Sequence, residues 1–443
     1  MERQHAIVLG GSITGLLTAR VLADHFRLVT LFERDSFPDH PQLRKGNTHG
    51  SHLHVLLLRG LELIARLFPG LRHEMLAHGA VPVDVGEDLA WLTPAGWAPR
   101  RKSGLVMLAF GRELLDHLLV ERVRRLGNVK IVDGAGVHGL AGLKADLIVD
   151  ATGRGSRLPS WLTELGYEPP KEVRVSAKLG YATRYYEGVS APWKAAFIQA
   201  NPPRSMTAGV LFPIQGNRWV ATVAGGNGEY PPVDEDGFLE FARALPSPII
   251  YDALRAARPI TPVLTYRATD NRWRLYHRLK RHPAGVLAIG DAICAFNPVY
   301  GQGMTVAAEC AFVLDDCLRR QPLELWRTFY AKSASIIQGP WTLATSEDSR
   351  YPAAEGVRLT TPVRWMQAYV ARVIAASLND GVVRKRWLEV FQMLRSPATL
   401  FSPPILVRVL SAHNSSPSPN ATASSGRSAR PYDHASSSCA EPS

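Results

Sequence analysis

Residues 6–15 hold the first spacing with an evident chemical use. Ala6-Ile7-Val8-Leu9 reads as a strand and Leu16, Leu17, Ala19, Val21 and Leu22 as a helix, with Gly10-Gly11-Ser12-Ile13-Thr14-Gly15 joining them. Gly10 permits a tight turn, and Gly15 lets the helix approach the strand closely. Ser12 stands where a G-x-G-x-x-G fingerprint has its second glycine. It is small enough for a pyrophosphate to reach the helix amino terminus, where free N–H groups and the dipole favour anions. The next strand, Leu28-Val29-Thr30-Leu31-Phe32, runs into Glu33. A carboxylate there accepts the hydroxyls of an adenosine ribose and argues against a 2′-phosphate. The combination reads as a dinucleotide site that suits FAD or NAD.

A second segment decides between the two. Gly285-Val286-Leu287-Ala288-Ile289-Gly290-Asp291-Ala292 is a strand ending in Gly-Asp. Asn297-Pro298-Val299-Tyr300-Gly301-Gln302-Gly303-Met304 is a Pro/Gly loop that opens a helix near Met304. NAD has no ribityl chain to be anchored so far downstream, whereas FAD has one. Asp291 is placed to bond a ribityl hydroxyl, and the helix amino terminus after Gly303 is placed to stabilise negative charge on a reduced flavin.

These segments, with Asp150-Ala151-Thr152-Gly153-Arg154-Gly155-Ser156-Arg157, resemble the p-hydroxybenzoate-hydroxylase-like superfamily of single-component FAD monooxygenases. Within it the chain is most similar to the branch of bacterial polyether epoxidases and, more distantly, squalene epoxidases. The resemblance spans about residues 5–410. It implies an α/β fold: a discontinuous, glutathione-reductase-type FAD-binding Rossmann-like domain, an inserted antiparallel β-sheet substrate domain and C-terminal helices. It also implies that Arg112 contacts the FAD phosphate or ribityl region, that Arg44 reaches FAD from the loop after the second strand, and that Val137 meets the adenine through its backbone. Gly11, Thr14, Arg34, Gly153, Pro298, Gly301, Gly303 and Met304 complete the expected cofactor contacts. The superfamily's reaction uses NAD(P)H as a transient reductant and inserts one oxygen atom from O2, with no protein nucleophile and no metal, so no catalytic side chain is assigned.

Two departures stand out. Thr152-Gly153 replaces an Asp-Gly pair common in the superfamily. Only Gly139–Ala145 remains where relatives carry a β-hairpin between the Val137 strand and the Asp146–Asp150 strand, which would expose the adenosine end of FAD.

The elements that must position these residues follow from periodicity. Residues 1–78, 105–157 and 279–322 carry strand–helix alternation and are assigned to the cofactor domain. Residues 79–104 and 158–278 are assigned to the substrate domain, with strands expected at Val173–Tyr185, Thr207–Phe212, Trp219–Val223 and Ile260–Tyr266. Helices are expected from 323 to 410, followed by a Ser/Pro/Ala-rich tail, 411–443, expected to be disordered.

Of 443 residues, 46% are hydrophobic and 20% charged, an ordinary globular composition, with a net charge of +12. The basic residues are scattered and no nucleic-acid-binding motif occurs, so an anionic cofactor or an acidic membrane surface accounts for the sign better than nucleic acid does. Cys294, Cys310, Cys317 and Cys439 form no CxxC pair. With no signal peptide and no apolar run long enough to span a bilayer, the expected location is cytoplasmic. Val357–Leu410 carries eight Arg/Lys and two acids among aromatic and aliphatic residues, so its helices either lie on an anionic membrane or pack on the substrate domain. His49, His52 and His54 read as a loop beside the flavin rather than a metal site, because no Cys or carboxylate joins them. Cys310 and Cys317 read as buried packing, and Trp341, Trp365 and Trp387 as core or groove residues.

The expected activity is FAD-dependent, NAD(P)H-using oxygenation of a large lipophilic molecule, an alkene epoxidation in polyketide or terpenoid metabolism. An FAD reductase of isoprenoid double bonds and a degenerate flavin-binding accessory protein are the alternatives. A Trp-x-Trp-x-Ile-Pro halogenase pattern is absent.

Overall fold

The computed structural model describes residues 3–413. Five parallel strands form one sheet in the order Val286–Ala288, Leu147–Asp150, His5–Leu9, Leu28–Phe32, Val129–Val132. Ala6, Ile7, Val8 and Leu9 are all buried, as a parallel sheet covered on both faces requires. The register aligns Leu9 with both Phe32 and Asp150, and Asp150 with Ala288, so the carboxyl ends of four strands open at one edge. His5–Leu9 lies at the centre, where successive connections diverge, and ligands of open α/β sheets bind at such a point.

Helix Ile13–Ala23 packs against helix Gly303–Arg320, and Leu16, Leu17, Val306, Ala308 and Cys310 of the two helices belong to the same buried core. The approach of the first helix to the end of strand His5–Leu9 depends on glycine: a Cβ on Gly15 would lie 1.7 Å from the Gly10 carbonyl oxygen. Gly10 itself has φ +98, a left-handed conformation that a side chain would strain.

A second, eight-stranded sheet is built around Gly180–Glu187, Arg218–Gly225, Thr207–Ile214 and Ala195–Ile198. Its outer face buries Ala182, Tyr186, Ala221 and Leu211 under two helices, Glu235–Arg243 and Ile249–Leu254, through Phe238, Ala242 and Ile250. Alternate residues Tyr181, Thr183 and Tyr185 therefore point to the other face. The sheet is not purely antiparallel, because Ala195–Ile198 runs parallel to Leu89–Thr93. The apolar run expected as one strand, Val173–Tyr185, is two. Lys178 adopts φ +50 and breaks it, and Glu172–Val175 pairs instead with Asn271–Arg274 in a separate three-stranded sheet. Val137 lies in an irregular connection between Val132 and Leu147, not in a strand.

Helix Leu325–Asp348 leads to three further helices, Thr361–Ser377, Gly381–Phe391 and Pro403–His413, which share a core of Val373, Val383, Val390, Leu400 and Ile405. Trp387, Leu388 and Phe391 pack onto the second sheet beside Trp91 and Phe197. Trp365 is not a core residue: it is 73% exposed. The last helix extends to His413, into the segment expected to be disordered, and the rest of that tail lies outside the described residues. Cys294, Cys310 and Cys317 are buried. Among the described residues, no helix is long and apolar enough to cross a membrane.

Candidate functional site

A cavity of about 830 Å3 runs along the carboxyl edge of the parallel sheet, toward the upper end of the roughly 300–1,000 Å3 usual for ligand and cofactor sites. Glu33, Arg34 and Val137 line one end. Gly10, Ser12, Thr14, Arg44 and Arg112 line the middle together with Gly153 and Asp291, and Pro298, Gly301, Gly303 and Met304 line the far end. Gly11 and Gly15 do not line it. Gly11 donates its N–H to Glu33 Oε2 at 2.6 Å, and Gly15 serves the helix–strand approach.

Glu33 is held in place on three sides. Besides the Gly11 bond it accepts from the Asp35 N–H at 3.0 Å, and Arg44 lies 3.3 Å from its Oε2. Arg112 is 7% exposed, so it is not a solvated helix-start residue. Its guanidinium donates to Asp116 at 2.8 Å and to Ser12 Oγ at 3.1 Å, which sets a cation beside the first helix amino terminus. Six arginines and three carboxylates line the cavity, an excess of three positive charges suited to a doubly negative pyrophosphate.

Asp291 faces the cavity and has no hydrogen-bond partner among the described residues. Burial raises its pKa, and Arg154, Arg112 and Arg274 only partly oppose that effect. A half-buried carboxylate without a partner calls for a donor, and a ribityl hydroxyl is one. Gly290 precedes it with φ +62, and a Cβ there would meet Thr14 at 2.6 Å. Asp150, by contrast, is spent internally. It accepts from the Thr152 N–H at 2.9 Å and from the Thr152 and Ser156 hydroxyls at 2.5 Å, so Thr152 ties the turn together.

The loop before Gly301 is fixed by residues that no sequence motif marks. Asp348, at the end of its helix and fully buried, accepts from Tyr300 Oη at 2.6 Å and from Asn271 Nδ2 at 2.6 Å. Asn297 Nδ2 lies 3.4 Å away, and Asn271 Oδ1 accepts the Asn297 N–H at 2.8 Å. Burial pushes the Asp348 carboxyl up to about 7. Arg154 braces the other side, donating to the Asp270 and Phe296 carbonyls, while Arg274 donates to the Ala292 and Arg154 carbonyls.

His49 and His54 line the cavity. Rather than converging on one point, the histidine nitrogens are hydrogen-bonded: His49 Nδ1 to His54 Nε2 at 2.9 Å, His54 Nδ1 to the His52 carbonyl at 2.9 Å, and His52 Nδ1 to Thr183 Oγ1 at 2.8 Å. Burial lowers all three, His49 to about 3 and His52 to about 4, so the rings are neutral.

This architecture is similar to that of solved flavoproteins, among them the flavin-dependent halogenase CmlS and PqsL, a probable FAD-dependent monooxygenase of Pseudomonas aeruginosa. The flavin-dependent brominase Bmp2 superposes with a TM-score of 0.64 over 93% of this chain and 99% of its own, at 14% identity. In sequence the chain is 31% identical to Protein Rv3254 of Mycobacterium tuberculosis over 93% of its length and 94% of that protein, and it belongs to the same family. Kynurenine 3-monooxygenase of Salinispora tropica is 26% identical over 72% of this chain and 74% of its own. No model of a known protein family matches the sequence. The polyether and squalene epoxidase branch is not among these similarities.

Proposed function

We propose that the protein is an FAD-dependent monooxygenase. The observation that carries this reading is one continuous cavity with Glu33 at one end, the helix amino terminus at Gly303 at the other, and the unpartnered Asp291 carboxylate between them. Glu33 would hold the adenosine ribose, Ser12, Thr14 and Arg112 the pyrophosphate, and Asp291 the ribityl chain. The turn Gly301–Met304 would lie against the electron-accepting ring. Bound FAD, reduced by NAD(P)H, would supply the transfer of one oxygen atom from O2. The chain's own part is to orient cofactor and substrate, exclude water and stabilise charge with a preorganised helix end.

Leu53, Val55, Tyr266 and Phe296 among the lining residues support a lipophilic substrate, and the finer reading is epoxidation of an alkene in a polyketide or terpenoid. Exposed Trp365, Met366, Val407 and Leu410, within a segment of net charge +6, support peripheral membrane contact through residues 357–410.

Denatured protein is expected to release FAD rather than FMN. The holoprotein is expected to couple NAD(P)H oxidation to O2 uptake, with one labelled oxygen in the product. Refolding with excess FAD and finding none bound would overturn the reading. Substrate reduction that proceeds equally well without oxygen would point to the reductase.

A further inference from the structure

The hydrogen-bond chain through His54 and His49 fixes where each ring carries its proton. A carbonyl oxygen only accepts, so His54, bonded through Nδ1 to the His52 carbonyl, is protonated there. Neutral His54 therefore presents a bare Nε2, and the group 2.9 Å from it, His49 Nδ1, must be the donor. His49 is neutral as well, because burial and the charges of Arg112 and Arg154 oppose protonation. Its one ring proton is thus committed to His54, and Nε2 is left as a bare acceptor. No described residue donates to that atom, and His49 lines the cavity.

The surroundings indicate what approaches it. The Tyr266 ring meets His49 edge-on with centroids 4.7 Å apart, and Tyr181 stacks on Tyr266 at 5.8 Å. Both tyrosines belong to the second sheet, whereas Gly10–Thr14, Glu33, Asp291 and Gly303 belong to the parallel-sheet unit. His52 reaches the same second sheet through Thr183. The acceptor therefore lies against the aromatic wall that the second sheet builds.

We propose that His49 Nε2 is the specificity-determining acceptor of this cavity, taking a hydrogen bond from an O–H or N–H group of an otherwise apolar, unsaturated substrate. The proposal rests on reading the cavity as a flavin monooxygenase site, and it adds a polar handle to the lipophilic molecule. No proton is transferred: a ring that protonates only near pH 3 orients a donor without deprotonating it.

The test compares 2-naphthol with 2-methoxynaphthalene, which lacks the donor, by titrating each into the FAD-loaded protein and following the flavin absorbance. 2-Naphthol should bind roughly ten-fold more tightly, the value of one well-made hydrogen bond. His49→Phe should remove that preference while FAD content stays unchanged, and His49→Gln, which restores an acceptor, should recover part of it. Nitrogen-15 NMR of histidine-labelled protein should show an unprotonated Nε2 on His49 between about pH 5 and 8, the range between its depressed titration and the alkaline limit of ordinary buffers. Equal binding of the two probes, no binding of 2-naphthol, an Nε2–H tautomer, or loss of FAD from His49→Phe would each overturn the proposal. Absence of FAD from the wild-type protein would instead sink the monooxygenase reading, and the tautomer measurement is independent of that outcome.

Discussion

Asp348→Asn separates the anchoring of the Asn297–Gly301 loop from the charge that the anchor carries. Burial raises the Asp348 carboxyl from 3.8 to about 7, although three donors point at it, so the desolvation of the ion outweighs their hydrogen bonds. A folded-state pKa above the unfolded value means a contribution that is fully present below about pH 4 and is lost as pH rises through about 7. The difference of some three units corresponds to about 4 kcal/mol over the whole range. By about pH 5 the unfolded chain is already ionised, so roughly 3 kcal/mol of that loss falls between pH 5 and pH 8.5. Asparagine is isosteric with the protonated acid and does not titrate. Any fixed cost of replacing one oxygen by an amide nitrogen cancels when the variant is compared with wild type at two pH values. Denaturant midpoints at about pH 5 and pH 8.5 should therefore show the variant gaining on wild type by an amount of that order. Stability differences that stay constant with pH, or that move against the variant as pH rises, would show that Asp348 is ionised throughout and that its three donors dominate.

Three further outcomes are expected. Glu33→Gln should weaken FAD by about 1–3 kcal/mol, measured by fluorescence titration, because it removes the charge that Gly11 and Arg44 already orient. Gly15→Ala should yield no soluble FAD-binding protein, since a Cβ 1.7 Å from backbone must displace the turn or the helix; normal flavin content would contradict the close approach. Asp291→Asn should make the cofactor-free protein more stable at about pH 8 while weakening FAD: the raised pKa means that ionisation opposes folding as pH rises. An apoprotein of lower melting temperature at that pH would refute this.

What could be read in the sequence was what short segments encode alone. The Gly10–Gly15 turn, the carboxylate after the second strand and the Gly290–Met304 run each combine strand, glycine and helix within a few residues, and the backbone freedom they require is local. The roles of Asp348 and Asn271 were not legible, because they arise when a helix end closes on a loop some fifty residues earlier. Alternating apolar residues marked Val173–Tyr185 as strand, yet a left-handed Lys178 divides it between two sheets, and periodicity does not register one reversed φ. Trp365 was expected in the core or a groove on residue type alone, but its position on its helix leaves it in solvent. The three histidines were visible, but their proton order depends on a backbone carbonyl, a datum that only coordinates supply.

The short connection between residues 132 and 147 keeps its shape without regular secondary structure. No strand lies there, but the segment is stitched to the loop after the second strand: the Ala135 N–H bonds the Glu33 carbonyl at 2.9 Å, the Gly134 N–H bonds the Asp35 carbonyl, and Asp133 accepts the Phe37 N–H at 2.7 Å. These bonds hold Val137 at the cavity wall, which the oriented Glu33 carboxylate also lines. What the connection supplies is the geometry of the polar contacts. A hairpin's buried area is a diffuse contribution to binding, whereas a preorganised carboxylate and a cation beside a helix amino terminus act at defined atoms. The shortened loop should therefore cost affinity at the adenosine end and little at the flavin end, where Asp291, the Asp348 network and the Gly303 helix are built by other parts of the chain.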